Sequence, residues 1–431
     1  MRPGAAGHRL ASRVWSAPDG GLGGLPRRSW LQLRHGRRRA AALHVSGPST
    51  TPALRRVGLN LLYLVPGAVG GTEVYARRLV DALARARPQV QWVAFCGREA
   101  AAPLAAAGWP PNVRVRALEV AAASKPRRVA AELGLLPRAA AGERVQLLHS
   151  LGTTAPLHGP FTRVVTVHDL IYHHWPGSFP LPARIGLELL VPAGAWRAHG
   201  VLADSKAAKL DLVATLRLDP ARIDVVHLGL GMTPSAEPTP ESALRATWEL
   251  GDRPVLLTVA AALPHKNLTR LLRALAALPG EPALVLVGHA GREQPRLAAL
   301  AAELGLGGRV RFTGWVTDAD LEGLYALARL FVYPSLHEGF GLPVLEAMRR
   351  GVPVACADAT SLPEVAGDAA AYFDGADERA IAATLRRLLD DPAAASELAR
   401  RGPARAAGFS WERCASETLA AYERARRTRP Q

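Results

Sequence analysis

Two sets of short apolar runs alternate with Ala/Leu/Arg-rich helical stretches along the chain from residue 57 onward. The first set predicts strands at 57–64, 91–96, 145–149, 164–168, 200–203 and 223–227. The second set predicts strands at 255–259, 283–287, 310–312, 330–333, 352–356 and 370–373. Continuous apolar strands separated by helices indicate parallel sheets that are covered on both faces. The pattern therefore predicts an α/β chain with two doubly wound domains.

A proline-rich segment separates the two sets of strands. Residues 231–240 contain three prolines among small and polar residues, which is typical of a linker rather than of a helix or strand interior. Ser410, followed by apolar residues at helical spacing, predicts a terminal helix that packs back on the first domain. We place the first domain at 57–232, the linker at 233–250, the second domain at 251–408 and the terminal helix in 409–431.

The composition narrows the class of protein. With 431 residues, 49% of them hydrophobic, the chain has enough material for two buried cores. Three cysteines at wide spacing indicate neither a disulfide framework nor a structural zinc site. No uncharged apolar run reaches the roughly 18 residues that a membrane helix needs. We therefore expect a reduced, cytoplasmic protein that is soluble or at most peripheral to the inner face of a membrane.

The formal net charge of +16 is concentrated at the start of the chain. Residues 1–50 carry nine arginines and one acid, Asp19, and Arg55 and Arg56 extend the basic stretch. A Gly-, Pro-, Ser- and Arg-rich composition without an apolar period predicts a disordered leader over residues 1–56. Such a leader is compatible with a transit peptide, an RNA- or lipid-attracting arm, or an extension from a start codon assigned too early. Because the rest of the chain is only weakly basic, we expect no nucleic-acid partner.

One segment, residues 333–348 (YPSLHEGFGLPVLEAM), combines a strand end, a glycine-containing loop and a helix whose first turns hold Pro343 and Glu346. Loop amides at such a helix start form an anion site. The amides expected to do so belong to Gly339, Phe340, Gly341 and Leu342. Carboxylates beside an anion site suit a phosphate that carries hydroxyl-rich groups on both sides. With Glu338 in the loop and Glu346 in the first helical turn, the pattern predicts a nucleoside-diphosphate-sugar site.

The spacing of Glu338 and Glu346, with seven residues between them, resembles the Glu-x7-Glu signature of the retaining glycosyltransferases of family 4. Segments 310–315 (VRFTGW), 351–356 (GVPVAC) and 361–374 (SLPEVAGDAAAYFD) occur in the family's order. The resemblance covers about residues 57–425 and excludes the leader. It implies the GT-B fold, in which two Rossmann-like domains face a central cleft, followed here by a C-terminal helix.

The resemblance also implies roles for residues of the second domain. Glu346 would bind the ribose hydroxyls of the donor, and Glu338 would approach and orient the donor sugar. Lys266, in the segment PHKNL, would contact the leaving diphosphate, where a cation stabilises the departing charge.

Many family members carry an arginine five or six residues before that lysine. This chain has Ala261 and Ala260 at those positions. The missing charge would then be supplied either by His265 or by Lys266 together with the helix N-terminus.

In the first domain the resemblance points to Gly71 and His168. Gly71, in the segment GGTE, precedes a predicted helix and would line the cleft, although a Gly-Gly pair alone indicates only a turn. His168 ends a predicted strand and would touch the sugar, whereas a lone histidine at a strand end is more often structural. The segment 203–205 (ADS) is expected to shape the cleft.

Two patterns that resemble metal sites receive other interpretations. Asp318 and Asp320 precede a predicted helix at 321–328, where aspartate is expected as a cap and a partner of the helix dipole. No carboxylate pattern matches three histidines of the first domain, His168, His173 and His174. We therefore predict no zinc site, no other metal and no bound cofactor.

The sequence thus predicts a metal-independent, retaining hexosyltransferase with a nucleotide-sugar donor and a glycan or lipid-linked acceptor. The His-Lys-Asn and Leu-Pro-Glu-Val segments resemble those of mannosyl- and rhamnosyl-transferring members that build polysaccharides or glycolipids, which favours GDP-mannose. The basic first domain predicts peripheral contact with an anionic membrane. The alternative is a GT-B relative that binds a sugar nucleotide without transferring the sugar. A phosphorylase, an epimerase and an exported sugar-binding protein are disfavoured, because their characteristic lysine, ring-directed acid/base groups and signal segment are not evident.

Overall fold

The computed structural model describes residues 53–67, 70–231 and 237–428. Most of the predicted leader and part of the predicted linker lie outside these residues. Two wholly parallel sheets, each covered by helices, form the α/β architecture that the alternating pattern predicts. The two predicted doubly wound domains are therefore confirmed.

The first sheet has seven strands in the order β3-β2-β1-β4-β5-β6-β7. In chain order these are β1 (Arg56–Leu61), β2 (Gln91–Cys96), β3 (Val113–Ala117), β4 (Leu147–Ser150), β5 (Thr162–Val167), β6 (Gly200–Ala203) and β7 (Ile223–Val225). Strand β1 ends earlier than predicted because the Asn60 side chain accepts the Leu62 N–H at 3.1 Å and starts a turn. Strand β3 was not predicted, since it alternates Val with Arg at the sheet edge and buries none of its residues fully.

The second sheet has six strands in the order β10-β9-β8-β11-β12-β13. These are β8 (Val255–Val259), β9 (Ala283–Val287), β10 (Val310–Gly314), β11 (Leu330–Tyr333), β12 (Val354–Ala357) and β13 (Ala370–Phe373). In both sheets the strand order reverses beside the first strand, between β1 and β4 and between β8 and β11. Parallel sheets of this kind bind ligands at the carboxyl ends of the strands that flank the reversal.

Helices connect the strands and cover both sheets. In the first half they are α1 (Gly71–Ala86), α2 (Arg98–Ala105), α3 (Lys125–Ala130), α4 (Leu136–Gly142), α5 (Ile171–His174), α6 (Leu181–Arg197) and α7 (Lys206–Leu216). In the second half they are α8 (Glu241–Thr247), α9 (Leu268–Ala276), α10 (Gln294–Glu303), α11 (Asp318–Leu327), α12 (Leu342–Arg349), α13 (Leu362–Ala366), α14 (Glu378–Asp390), α15 (Pro392–Ala406) and α16 (Trp411–Thr428). Helix α8 lies within the segment 233–250 that was predicted to be a linker, and it packs on α11.

The last helix, α16, packs on the first sheet and on α1. The Tyr422 hydroxyl meets Nδ1 of the buried His149 at 2.8 Å, and Trp411 donates its indole N–H to the Leu230 carbonyl at 2.6 Å. Gly200 of β6 lies against Ala425, where a side chain on Gly200 would collide with the helix. The chain therefore crosses from the second sheet back to the first before it ends.

Two further observations concern membrane-spanning helices and the cysteines. No helix in the part of the chain that the structure describes has the length and apolar character needed to cross a bilayer. The three cysteines, Cys96, Cys356 and Cys414, are buried free thiols.

Candidate active site

The carboxyl ends of β8 and β11 lie side by side where the strand order of the second sheet reverses. A short helical turn, Pro264–Lys266, follows β8, and the motif loop, defined as residues 334–341, follows β11. These two connections bring Lys266 against Glu338, with 2.5 Å between Nζ and Oε1. The same Nζ donates to the Tyr333 hydroxyl at 3.1 Å. Two residues that the sequence predicted for the donor site are thus in direct contact.

Lys266 and Glu338 hold each other in the charged form. Burial opposes the charge of Lys266, but the Glu338 carboxylate raises the pKa of this ammonium above its usual value. Burial also opposes the charge of Glu338, whereas the Lys266 ammonium lowers the pKa of this carboxyl below its usual value. Near neutral pH the site therefore presents a cation and a carboxylate side by side, both largely shielded from water.

The sequence predicted Glu346 in the first helical turn, but it lies in the second turn of α12 because the helix already begins at Leu342. Its carboxylate is 9% exposed and accepts a hydrogen bond from the Tyr325 hydroxyl at 3.2 Å. Gly231, the last described residue before the gap in the linker, packs against the same carboxylate, and a Cβ there would overlap it. Glu346 is thus fixed at the boundary between the two domains.

The motif loop is held by its own backbone conformation and by two hydroxyls. Gly341 has φ 110°, in the left-handed region, and directly precedes α12. The Ser361 hydroxyl lies 3.0 Å from the Glu338 carbonyl and 2.8 Å from the Phe340 carbonyl. Thr360 accepts the Glu338 N–H at 3.0 Å. These contacts fix the path of the loop before any ligand is bound.

The Phe340 side chain is buried among aromatic rings. Its ring is 4% exposed and packs edge-on against Phe409, with a second contact to His227. These contacts anchor the motif loop through the Phe340 side chain.

His265 does not supply the charge of the missing arginine. Its ring is buried, and Nδ1 lies 3.2 Å from the Ser178 hydroxyl of the first domain. Burial, reinforced by the neighbouring Lys266 ammonium, lowers the pKa of His265 to about 3, so the ring is neutral at physiological pH. A neutral His265 favours the other interpretation, in which Lys266 acts together with the N-terminus of α12.

His168 is held by partners on both ring nitrogens. Nδ1 lies 2.7 Å from Asp204 Oδ2, and Nε2 lies 2.9 Å from the Leu151 carbonyl. Burial opposes protonation, but the Asp204 carboxylate raises the pKa of His168 to about 9. With both nitrogens bonded, His168 has no ring nitrogen free for the sugar contact that the family resemblance implies.

Gly71 and Gly339 lie where the two domains are in contact. Gly71 opens α1, and a Cβ added to it would lie 3.6 Å from a methyl group of Leu342. A Cβ on Gly339 would overlap the His168 carbonyl oxygen. The Gly339 carbonyl accepts a hydrogen bond from Ser205 at 2.8 Å. The predicted cleft residues Gly71, His168, Gly339 and Leu342 are thus brought together.

A carboxylate that sequence reasoning did not single out also joins the domains. Glu364, on α13, accepts the Lys206 N–H at 2.9 Å and the Ala207 N–H at 3.3 Å, in the first turn of α7. His227 Nε2 lies 2.7 Å from the same carboxylate. Burial opposes this charge, but the His227 hydrogen bond lowers the pKa of Glu364. The segment SLPEVAG was the only sequence signal, and it did not reveal which helix the glutamate faces.

The Asp-x-Asp pattern occupies the start of a helix, as predicted. Asp318 and Asp320 lie in the first turn of α11, where they complement the helix dipole. The N-cap itself is Thr317, whose hydroxyl accepts the Asp320 N–H at 3.1 Å. Asp320 in turn accepts a hydrogen bond from Thr239 at 2.7 Å.

Comparison with family models assigns both halves of the chain. Residues 69–231 match the model described as "Glycosyltransferase Family 4", and residues 241–405 match "Glycosyl transferases group 1". The chain belongs to the glycosyltransferases of family 4. The motif loop and Lys266 lie in the second matched region, whereas Gly71 and His168 lie in the first.

Two relatives of this family 4 chain are named as mannosyltransferases. The O-antigen chain mannosyltransferase B of Escherichia coli is 45% identical over 171 residues, which are 39% of this chain and 45% of the relative. The MMP alpha-(1->4)-mannosyltransferase of Mycolicibacterium hassiacum is 33% identical over 279 residues, 63% of this chain and 65% of the relative. The chain thus spans less than two thirds of the length of both relatives.

Solved structures show the same fold for this family 4 chain. Sucrose-phosphate synthase of Thermosynechococcus elongatus matches with a TM-score of 0.68 and 23% identity, over 86% of this chain and 98% of that one. Anabaena HepE in complex with UDP and glucose matches with a TM-score of 0.66 and 20% identity, over 85% and 100%. These similarities establish the GT-B fold.

Proposed function

We propose that this protein transfers a hexosyl group from a nucleotide sugar to an acceptor hydroxyl with retention of anomeric configuration. The observation that carries the proposal is the Lys266–Glu338 pair at the reversal of the second sheet, followed by Glu346 on α12. A lysine that stays charged suits a leaving diphosphate, and carboxylates suit the hydroxyls of ribose and hexose. The arrangement offers one such group for each part of the donor.

In the proposed reaction, the bond between the anomeric carbon and the diphosphate oxygen breaks, and a bond to the acceptor oxygen forms on the same face of the sugar. The acceptor proton passes to the leaving phosphate oxygen. Lys266 and the amides of residues 339–342 stabilise the developing negative charge. Glu338 orients the sugar and Glu346 binds the ribose. In this proposal His168 is a positioning residue, because its main-chain carbonyl lies against Gly339.

We propose GDP-mannose as the donor and a glycan or lipid-linked molecule as the acceptor. The names of the two relatives support mannose, and the O-antigen relative supports a polysaccharide or its lipid-linked precursor. Neither a metal nor a further cofactor has a part in this proposal.

We also propose that α6 meets an anionic membrane surface that carries the acceptor. Leu181, Ile185 and Leu189 follow one another at helical spacing and are 61%, 50% and 68% exposed. Arg184 and Arg197 lie on the same helix. Apolar and basic side chains on one helix are typical of peripheral membrane contact. Full-length protein should sediment with phosphatidylglycerol vesicles at low salt, and Leu189→Glu should reduce this binding, whereas equal binding to neutral vesicles would contradict it.

The transfer itself is tested with a donor panel on the full chain. We expect GDP-mannose, and not UDP-glucose, UDP-GlcNAc or dTDP-rhamnose, to raise the melting temperature and to yield a glycosylated acceptor by mass spectrometry. Glu346→Gln should weaken nucleotide binding by about 10- to 100-fold, since it removes a charge-assisted hydrogen bond. Glu303→Gln, an exposed glutamate on α10, is the matched control and should bind like the wild type.

Two other outcomes would change the conclusion. Binding of a donor that Glu346→Gln weakens, without any transfer or sugar release, would favour the alternative of a nucleotide-sugar-binding relative. A thermal shift with a different nucleotide would replace GDP-mannose but keep the site.

A further inference from the structure

Three side chains from separate elements meet beside the motif loop. They are His174 at the end of α5, Asp211 on α7 and His337, which directly precedes Glu338. His174 Nε2 lies 2.7 Å from Asp211 Oδ1, and His337 Nε2 lies 3.7 Å from Asp211 Oδ2. One nitrogen or oxygen atom from each residue lies within 4.8 Å of the other two. The sequence offered no carboxylate for His174, and the fold supplies one.

We propose that His174, Asp211 and His337 bind a divalent zinc ion that bridges the two domains beside the donor site. Two imidazoles, a carboxylate and one open position form a ligand set that zinc accepts at about 2.0–2.2 Å. Binding replaces the proton of the His174–Asp211 hydrogen bond, and the two ligand atoms need to separate to only about 3.4 Å around a tetrahedral ion.

The surroundings favour a cation at this position. Thr215 donates a hydrogen bond to Asp211 Oδ1 at 2.9 Å. Metal-binding carboxylates are typically oriented by such a second hydrogen bond. Asp169, Glu188 and Glu338 add negative charge around the two histidines.

The three ligands come from both domains, so the ion would link the domains to each other. His174 and Asp211 belong to the first domain, and His337 belongs to the second. An ion held by all three therefore stabilises the arrangement in which the domains touch and opposes the separation that product release requires. Zinc should then slow turnover reversibly, and a chelator should restore it.

The test is zinc binding by the full-length chain without a histidine tag, with cobalt as a spectroscopic probe. We expect one zinc per chain by calorimetry and visible ligand-field absorption of tetrahedral cobalt. His174→Gln should weaken binding by about 100-fold or more, because one of three ligands is lost. His173→Gln is the matched control, since its ring faces Glu188 at 3.2 Å and not Asp211.

These measurements do not depend on sugar transfer, so failure of the zinc proposal and failure of the proposed function are distinguishable. Equal zinc affinity in the wild type and in a folded His174→Gln would overturn the proposal, as would an absence of binding. If His174→Gln does not fold, Asp211→Asn provides the same comparison. Unchanged affinity in that variant also overturns the proposal.

Discussion

The α-carbon of Gly339 lies against the main-chain carbonyl of His168, with no room for even a methyl group between them. The loop after β11 and the loop after β5 therefore meet backbone to backbone. Ser205 adds a hydrogen bond to the Gly339 carbonyl at 2.8 Å, so this contact is polar as well as close. Glu338 directly precedes this contact in the chain.

Gly339→Ala should lower the turnover of sugar transfer by about 10- to 100-fold, because the new methyl group pushes Glu338 out of position. Steady-state kinetics with the preferred donor measure the effect. Gly308→Ala is the control, since a Cβ there has no neighbour within 4 Å. Equal turnover in both variants would show that the two loops need not touch during the reaction.

Lys266→Met should destabilise the fold by about 3–5 kcal/mol at neutral pH, because it leaves the Glu338 carboxylate buried without its partner. The double variant Lys266→Met/Glu338→Gln removes both charges and should recover most of that loss. Urea unfolding followed by circular dichroism measures both variants. If the double variant is as unstable as the single one, the ion pair is not the cause.

The Asp204–His168 pair should give the protein a pH-dependent stability. The pKa of His168 is raised to about 9 in the folded state, above its unfolded value of about 6.5. The stabilisation is therefore fully present below about pH 6.5 and is lost as the pH rises through 9. Asp204→Asn should accordingly cost on the order of 3 kcal/mol more at pH 6 than at pH 10.

Unfolding titrations at several pH values measure this difference. Asp252→Asn changes an exposed aspartate and serves as the control, with no expected trend. A cost of Asp204→Asn that is the same at pH 6 and pH 10 would contradict a charged His168.

Tyr422→Phe should lower the free energy of unfolding by about 1–2 kcal/mol, since His149 Nδ1 loses its hydrogen-bond partner, the Tyr422 hydroxyl, and stays buried. Burial lowers the pKa of His149 to about 3, so the ring does not compensate for the lost hydrogen bond by taking up a proton at neutral pH. Denaturant unfolding gives the value. No change would mean that the Tyr422–His149 contact does not help to hold α16 to the first sheet.

The sequence predicted the parts of the site that depend on local pattern. Glu338 and Glu346 share one continuous segment, and a strand, a glycine loop and a helix start are recognisable there without knowledge of the rest of the chain. Lys266 follows a strand that reads as a continuous apolar run. The order of the strands then places both connections at the same reversal point.

Contacts between distant segments were not predictable in this way. Glu364 and Lys206 are 158 positions apart, and nothing in either segment specifies the other. From its sequence Asp211 is an ordinary polar residue of a helix, and only the fold brings it against His174. The lowered pKa of His265 was not predictable either, because it comes from burial, which the sequence does not show.

The first turn of α7 takes its capping carboxylate from the other domain, through Glu364. Any movement that parts the domains leaves the amides of Lys206 and Ala207 without an anion, at the end of the helix where partial positive charge collects. The contact between the two domains therefore also satisfies the start of α7.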